Sequence, residues 1–430
     1  MRWKSCLREM ALLAIFITSL ALVPDAWAGG KEKVLYAFKG GNDGTAPVGA
    51  LVADASGNLY GVTLSGGING TGTVFQLAPS GKSWKETVLH TFGSGNDGAE
   101  PYNLTLGDAG KIYGTTVAGG GAQQLCSEGC GTVFALTRDA QGKWSEKVIH
   151  RFKPEQGDGA GPYGALILDA SGTLYGTTSQ GGTGSCNGGC GTVFEMTSGK
   201  GKQWTEQVLY SFAGGGDGSW LYGGLLMNAK GDTMYGTTGE GGQYGNGTIF
   251  QIALSGGTWT KTTLYNFRGY PTDGETPGDS SLIFDNVGNL YGTTAYGGTH
   301  ACGCCGCGTV FELHSSNGHW SERILHDFSG EKDDRYPFGP ILGGNGHLYG
   351  TTSGQINGQT GTVFELIPAS EKKHEWQEQV VYGFRRGNDG YAPSGGVVRR
   401  AGDLYGVASF GGDLSCGEGY GCGVIFEITP

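Results

Sequence analysis

The chain of 430 residues contains 87 glycines and carries a formal net charge of −11. Glycine at this level can mark a disordered chain, but 11% of the residues are aromatic, and disordered segments lack the aromatic and β-branched residues that bury surface. The sequence has no basic patch or arginine run, and phosphate contacts need clustered cations, so we expect neither nucleic acid nor an anionic membrane surface as a partner.

The N-terminus is typical of an export signal. Three basic residues lie within the first eight positions, and Met10–Val23 is an uncharged apolar run of 14 residues, short for a membrane span. A small-residue cleavage position ends at Ala28. We therefore predict a signal peptide over 1–28 and an exported mature chain, periplasmic or extracellular, over 29–430, which forms one domain without a transmembrane segment.

After this segment, one unit occurs seven times. It consists of Leu-Tyr-Gly-Thr-Thr, a glycine-rich loop, Gly-Thr-Val-Phe-Glu-Leu, then Trp-x-Glu-x-Val-Leu-Tyr-x-Phe and an Asp-Gly-x-x-Pro turn. The unit repeats every 53 to 62 residues, which is longer than a WD40 or kelch unit. Its position in the chain is given by the Leu-Tyr-Gly tyrosines: Tyr60, Tyr113, Tyr175, Tyr235, Tyr291, Tyr349 and Tyr405.

Each unit offers four short strands that are rich in aromatic and β-branched residues and bounded by turn residues. In the third unit these are 165–169, 173–178, 192–196 and 204–212. Four antiparallel strands per repeat are typical of a propeller blade. The sequence therefore predicts an all-β fold, a seven-bladed β-propeller with four-stranded blades. A β-solenoid is the weaker alternative, since its coils are usually shorter.

The order of the strands also predicts how the ring closes. The mature chain begins with a fourth strand at 34–38 and ends with a third strand at 424–428. The N-terminal strand can thus complete the last blade and remove the open sheet edges. This strand has Gly30 at the position where the other six fourth strands carry tryptophan.

The repeated Leu-Tyr-Gly-Thr-Thr, Gly-Thr-Val-Phe-Glu-Leu and Val-Leu-Tyr-x-Phe segments resemble the GloVer tandem repeat of secreted bacterial proteins. The resemblance covers residues 33–430. It implies an exported, propeller-like protein. It implies no reaction and no catalytic residues, because no activity is established for these repeats.

Three polar positions recur in the units and invite a functional reading. Aspartates before the turn proline could place seven carboxylates on one rim and bind Ca2+, but we interpret each as a cap of its own loop. A glutamate in the fourth strand is interpreted as a strand-face repeat rather than a paired acid and base. His90, His150 and His326 replace a tyrosine of the fourth strand, and we interpret them as aromatic substitutes rather than metal ligands. We expect no cofactor. The aspartates are Asp43, Asp97, Asp158, Asp217, Asp273, Asp333 and Asp389, and the glutamates are Glu32, Glu86, Glu146, Glu206, Glu322 and Glu378.

Ten cysteines follow the signal, all in the loop before a third strand. An even number in an oxidising compartment predicts disulfides, each closed within its own loop. The pairing among the four cysteines of residues 302–307 stays open, because four cysteines allow three connectivities. A soft-metal site in this loop is the alternative. The candidates are Cys126, Cys130, Cys186, Cys190, Cys302, Cys304, Cys305, Cys307, Cys416 and Cys422.

Residues that vary within fixed positions are the better candidates for function. The position after the turn proline is aromatic in four units, and a second variable position follows Leu-Tyr-Gly-Thr-Thr. Aromatic rings with polar neighbours on one face of a propeller could stack on sugar rings, although they could also simply pack the loop. The predicted ligand-binding residues are Tyr102, Tyr163, Tyr222, Phe338, Trp220, Glu100, Glu240 and Tyr296.

Two functions follow from this. We favour a monomeric, non-catalytic binding or scaffold propeller that contacts a polysaccharide or a cell-surface protein. The alternative is a carbohydrate-active enzyme, a glycoside hydrolase or lyase, which would need convergent carboxylates or a Tyr/His/Arg set. Its nearest candidates are not brought together by their spacing, so no catalytic residue is predicted. They are Glu100, Glu240, Asp279, Asp334 and Arg335.

Overall fold

The computed structural model describes residues 29–430 apart from 94, 122–124, 200–202, 279–280, 332, 355–359 and 371–374. The predicted signal peptide lies outside the described residues, as does Asp279. Over the part of the chain that is described, no helix has the length and apolar character needed to cross a membrane.

The chain folds into seven antiparallel sheets arranged as the blades of a propeller, which confirms the predicted fold. The first strand, β1 (Lys31–Ala37), belongs to the seventh blade. Blade 1 contains β2 (Thr45–Ala53), β3 (Leu59–Ser65), β4 (Thr73–Ser80) and β5 (Ser83–Thr91), and blade 2 contains β6 (Gly98–Leu106), β7 (Ile112–Gly119), β8 (Thr132–Arg138) and β9 (Trp144–Arg151).

Some first and second strands of the later blades are interrupted, so short pairs appear beside the main sheet. Blade 3 contains β10 (Gly159–Ala160), β11 (Ile167–Leu168), β12 (Leu174–Thr178), β13 (Gln180–Gly181), β14 (Thr192–Ser198) and β15 (Trp204–Ser211). Blade 4 contains β16 (Leu226–Met227), β17 (Thr233–Thr238), β18 (Thr248–Ser255) and β19 (Thr258–Asn266). Blade 5 contains β20 (Gly274–Glu275), β21 (Ile283–Phe284), β22 (Leu290–Thr294), β23 (Tyr296–Gly297), β24 (Thr309–Ser316) and β25 (His319–Asp327).

The last two blades complete the ring. Blade 6 contains β26 (Pro337–Leu342), β27 (Leu348–Thr352), β28 (Thr362–Ile367) and β29 (Gln377–Gly383), and blade 7 contains β30 (Tyr391–Pro393), β31 (Val398–Arg400), β32 (Asp403–Phe410) and β33 (Val424–Thr429). Single 3-10 turns lie in the connections at Gly41–Asp43, Asp108–Gly110, Pro154–Gln156, Gly215–Asp217, Gly387–Asp389 and Gly417–Gly419.

The first strand differs most from the sequence prediction. In blade 3 the predicted 165–169 strand is reduced to Ile167–Leu168. Upstream of this strand, the backbone is hydrogen-bonded to the neighbouring blade. The side-chain amide of Asn103 donates a hydrogen bond of 2.8 Å to the Tyr163 carbonyl. The first strands of adjacent blades contact each other in this way, as the innermost strands of a propeller do.

The glycine of Leu-Tyr-Gly is required by packing inside the blade. Gly176 in β12 lies opposite Phe194 in β14. A Cβ added at Gly176 would lie 2.5 Å from Phe194 Cζ, closer than van der Waals contact allows. The fully buried phenylalanine ring thus occupies the space that a side chain in the second strand would need.

The core between blades is a ring of aromatic pairs. The phenylalanine at the end of each fourth strand contacts the third-strand phenylalanine of the next blade edge to face, with centroids 5.1 to 5.3 Å apart. Such pairs add about 0.5–1.5 kcal/mol each to the stabilisation from buried area. They are Phe38–Phe75, Phe92–Phe134, Phe152–Phe194, Phe212–Phe250, Phe267–Phe311, Phe328–Phe364 and Phe384–Phe426.

The predicted ring closure is confirmed. Strand β1 pairs antiparallel with β33, from Lys31 opposite Thr429 to Ala37 opposite Val424. The seventh blade therefore combines the two ends of the described chain. Where Gly30 lacks the tryptophan of the other junctions, the Arg399 guanidinium lies 5.7 Å from the Tyr349 ring centre.

Candidate functional site

The turn between the fourth strand and the next first strand is built around its aspartate. Asp158 accepts hydrogen bonds from the backbone N–H groups of Lys153 at 3.0 Å and Gly159 at 2.6 Å. Asp97 accepts the equivalent bonds from Gly93 and Gly98. These contacts confirm the interpretation of the aspartates as loop caps.

The residue before the turn proline has a backbone conformation that the sequence did not reveal. It has positive φ in every blade, including blade 4, where Leu221 replaces the proline, and it is glycine only at Gly161. Such a conformation costs roughly 1–2 kcal/mol for other residues, so the surroundings must hold it. Its N–H donates to a carbonyl of the preceding blade, for example Trp220 to Cys190 at 3.2 Å and Glu100 to Thr71 at 2.9 Å.

Four of the predicted ligand-binding residues lie together. The rings of Tyr102 and Tyr163 contact edge to face with their centres 5.3 Å apart. Tyr163 contacts Tyr222 in the same manner, with ring centres 5.2 Å apart. Trp220 stacks on Tyr222 with ring centres 6.1 Å apart and planes 21° apart. All four side chains are half-buried. We call these residues, which come from blades 2, 3 and 4, the aromatic row.

The row ends at the fifth blade, next to a glycine. The position after the turn proline is Gly278 there, and a Cβ at this residue would lie 3.3 Å from Tyr222 Cδ2. At the other side of the ring, Gly239 donates its N–H to the Trp220 carbonyl at 2.8 Å. The Tyr222 ring thus packs close to Gly278, and the backbone of Trp220 is held by Gly239.

The two predicted glutamates lie beside the row. Glu240 exchanges backbone hydrogen bonds of 3.0 and 3.1 Å with Ser219, the residue before Trp220. Glu100 is exposed in the turn that leads to Tyr102 and borders a cleft of about 400 Å³ together with Glu128. The surroundings of the aromatic row are therefore acidic.

The remaining predicted residues lie elsewhere. Tyr296 contacts Tyr336 edge to face at 5.2 Å, and the Arg335 guanidinium lies 5.6 Å from the Tyr336 ring centre. Phe338 lies in the sixth blade, opposite Thr351. Tyr336 was missed because it occupies the positive-φ position, whose side chain the repeat pattern did not mark as variable.

The candidates for an enzyme belong to three different blades. Glu100 lies in blade 2, Glu240 in blade 4, and the adjacent Asp334 and Arg335 precede blade 6. Asp334 is buried and accepts the Gly361 N–H at 2.8 Å. Burial raises the pKa of Asp334 to about 6. This carboxyl is tied into the backbone of its own blade.

Four disulfides are confirmed, and they pair eight of the ten candidate cysteines, including two of the four in the 302–307 loop. The bonds are Cys126–Cys130, Cys186–Cys190, Cys302–Cys307 and Cys416–Cys422. Inside the 302–307 loop, Cys304 and Cys305 place their Sγ atoms 2.6 Å apart.

The repeat and the propeller define the class of protein, and the comparison with known families gives the family. The chain belongs to the Gloeobacter/Verrucomicrobia repeat family, whose model matches residues 23–227 and 183–420. No curated protein matches this sequence.

Solved structures share the propeller shape at low sequence identity. Virginiamycin B lyase from Staphylococcus aureus is 14% identical with a TM-score of 0.56, and the match covers 94% of this chain and 99% of that one. An ulvan lyase bound to -[GlcA(1-4)Rha3S]- is 11% identical with a TM-score of 0.51, over 89% of this chain and 90% of that one. These likenesses establish the fold alone.

Proposed function

We propose that this protein is an exported, non-catalytic propeller that binds a neutral polysaccharide along the aromatic row. The observation that carries the proposal is the contact of Tyr102, Tyr163, Tyr222 and Trp220 across three consecutive blades. Tyrosine and tryptophan dominate the energetics of many binding surfaces, since they offer a large area at low entropic cost.

The rings support one another, which favours binding by a preformed surface. Each tyrosine of the row is held by its neighbour edge to face, the geometry that aromatic pairs prefer. The carbonyl of Tyr163 is fixed by Asn103 from the preceding blade. A surface that is already ordered loses little conformational entropy when it binds its ligand.

Charge favours a neutral glycan over a uronic acid polymer or a sulfated one. Glu100 and Glu240 lie beside the row, and the whole chain carries a formal net charge of −11. An acidic polysaccharide would be repelled by these carboxylates.

The proposed location outside the cytoplasm is supported by the disulfides. Four of them lie in the glycine-rich loops before third strands, and such bonds persist in oxidising compartments. Residues 29–430 are proposed to act as one monomeric domain.

The test is binding of the mature protein to a panel of neutral and acidic polysaccharides, by glycan array and then by titration calorimetry. Replacing Tyr163→Ala should weaken binding of the selected glycan at least about tenfold, or about 1.4 kcal/mol, because Tyr163 lies at the centre of the row. The matched control is Tyr420→Ala, which removes an exposed tyrosine of the seventh blade and should leave the affinity unchanged.

Two results would contradict the proposal. Equal affinity in the Tyr163→Ala and wild-type proteins, both folded by circular dichroism, would exclude the row as the binding surface. Cleavage of a polysaccharide by the wild-type protein that is lost in Glu100→Gln or Glu240→Gln would instead establish the carbohydrate-active enzyme.

A further inference from the structure

The three polar positions that recur in every unit meet at the junctions between blades. At each junction, a tyrosine or histidine of one fourth strand faces the turn aspartate, and the third member comes from the fourth strand of the next blade. The sequence interpretation treated these positions separately. The seven sets are Tyr36/Asp43/Glu86, His90/Asp97/Glu146, His150/Asp158/Glu206, Tyr210/Asp217/Lys261, Tyr265/Asp273/Glu322, His326/Asp333/Glu378 and Tyr382/Asp389/Glu32.

One junction shows which kind of ligand this position accepts. Between blades 3 and 4 the glutamate is replaced by Lys261, whose side chain is only 5% exposed. Its ammonium group lies 2.9 Å from Asp217 Oδ1, 2.9 Å from the Asp217 carbonyl and 2.8 Å from Thr263 Oγ1. The chain itself thus places a cation on the turn aspartate.

Two other junctions combine this position with the donor atoms of a metal site. His150 Nε2 lies 2.9 Å from Asp158 Oδ2, and these atoms and a carboxylate oxygen of Glu206 all lie within 4.8 Å of one another. His90, Asp97 and Glu146 form the same set within the same distance. The Oε1 atoms of Glu146 and Glu206 are buried and have no hydrogen-bond partner among the described residues.

The geometry points to a divalent transition-metal site, of the kind that binds Zn2+, at each of these two junctions. An imidazole and two carboxylates are ligands that Zn2+ accepts, at ~2.0–2.2 Å from the ion. Ca2+ fits less well, because it takes six to eight oxygen ligands. An ion here would also give the buried oxygens of Glu146 and Glu206 the partner that they lack among the described residues.

The site at His150 has an open side. An open cleft of about 710 Å³ borders His150, Asp158, Trp204 and Glu206. Three protein ligands and an accessible fourth position are the arrangement of zinc sites that bind water or an exogenous ligand. The ion can therefore enter from solvent, and its remaining position faces the cleft.

The remaining histidine junction is different. Asp333 receives both the N–H and the hydroxyl of Ser329, the hydroxyl at 2.6 Å, in addition to His326. Of the three histidine sets, those of His90 and His150 bring all three ligand atoms within 4.8 Å of one another among the described residues, so we expect two ions per chain rather than three.

The test is titration calorimetry of untagged, chelator-treated mature protein with ZnCl2, with the bound metal counted by mass spectrometry. We expect two sites per chain. His150→Tyr should remove one of them, and the double variant His90→Tyr/His150→Tyr should remove both. Tyrosine is the natural residue of this position in four of the seven sets, so these variants keep the fold.

Further variants separate the site from other zinc-binding groups. Glu206→Gln, which keeps the side-chain shape, should weaken one site at least about tenfold, because loss of even an outer contact costs 10–100-fold. Glu322→Gln lies at a junction with tyrosine and should leave the number of bound zinc ions and their affinity unchanged. Titration with Co2+ identifies sulfur ligands, since thiolate coordination gives a strong near-ultraviolet band that imidazole and carboxylate ligands lack.

Three results would overturn the inference. These are the absence of zinc binding at micromolar concentrations in the wild-type protein, two retained sites in the folded double histidine variant, or a Co2+ spectrum with the thiolate band that disappears in Cys304→Ser/Cys305→Ser.

Discussion

At the junctions between blades, single residues decide the charge of an otherwise constant structure. Lys261 makes an ion pair with Asp217, whereas each glutamate of the other six sets has a buried oxygen without a hydrogen-bond partner in the described part of the chain. Burial is the main cause that raises the pKa of these glutamates, to about 7 for Glu86 and about 8 for Glu322. Burial at this position favours the protonated, uncharged form of the carboxyl over the charged form.

Glu322 gives a test at the scale of one residue. Burial and the charge of Asp273 raise the pKa of Glu322 to about 8 from 4.5. The folded state therefore binds more protons than the unfolded state between these values, and the free energy of unfolding falls as the pH rises through this range. Glu322→Gln removes this loss, so it should stabilise the protein at pH ~8 by roughly 1–2 kcal/mol relative to its effect at pH ~5.

The measurement is the midpoint of urea unfolding as a function of pH for both proteins. Asp273 and Tyr265 also lie near this carboxyl and stay in place in the variant. Glu418→Gln, in the exposed loop of blade 7, is the control and should follow the wild-type curve. Parallel curves for wild type and Glu322→Gln would show that Glu322 has an ordinary pKa.

Among the elements, the cysteine loops support the strained turns of the next blade. The carbonyls of Cys130, Cys190, Cys307 and Cys422 accept the N–H of the positive-φ residue in the blade that follows. Each disulfide therefore lies in the loop that supplies this bond. The loops serve to position the next blade as well as to order their own glycine-rich chain.

The disulfide of the third blade provides a test of this coupling. The disulfide restricts the unfolded chain, and for so small a loop this stabilises the folded state by about 2 kcal/mol. Cys186→Ser/Cys190→Ser should therefore lower the free energy of unfolding by about that amount. It should also change the near-ultraviolet circular dichroism, because Cys190 holds Trp220 against Tyr222.

The control is Cys416→Ser/Cys422→Ser, which opens a loop of similar size that supports Ala46, in a turn that leads to Val48 and lies outside the aromatic row. It should show the same loss of stability with a smaller spectral change. Equal near-ultraviolet spectra for the two double variants would contradict the link between the Cys190 loop and the aromatic row.

The second, third and fourth strands of the repeat were predictable because each has a strong local pattern. In blade 3 the predicted 192–196 and 204–212 strands correspond to Thr192–Ser198 and Trp204–Ser211. The first strand was overestimated, since its backbone bonds to the adjacent blade. The His150/Asp158/Glu206 set was not predictable, because its last member comes from the next repeat and the blade twist decides which residues meet.

On the scale of the whole molecule, closure depends on one strand. Strand β1 covers β33 and contributes Leu35 to the core between the last blade and the first. Phe38, which follows β1, donates its N–H to the Gly423 carbonyl and packs on Phe75. The N-terminal segment therefore joins blade 7 to blade 1 and covers the edge of β33.

Deleting residues 29–37 should open the ring. The loss of buried Leu35 alone costs about 2–5 kcal/mol, and the exposed edge of β33 would offer unpaired backbone groups to other chains. We expect a free energy of unfolding lower by about 5 kcal/mol or more, together with concentration-dependent association in sedimentation velocity experiments.

A circular permutant separates the role of the strand from the role of its chain connection. A short linker would join Pro430 to Gly29, and new termini would be placed between Gly256 and Gly257 in the exposed turn of blade 4. All seven blades then keep four strands, so this protein should remain monomeric with nearly the wild-type stability. If the permutant were as unstable as the truncated protein, the covalent order of the blades, and not the pairing of β1 with β33, would hold the ring closed.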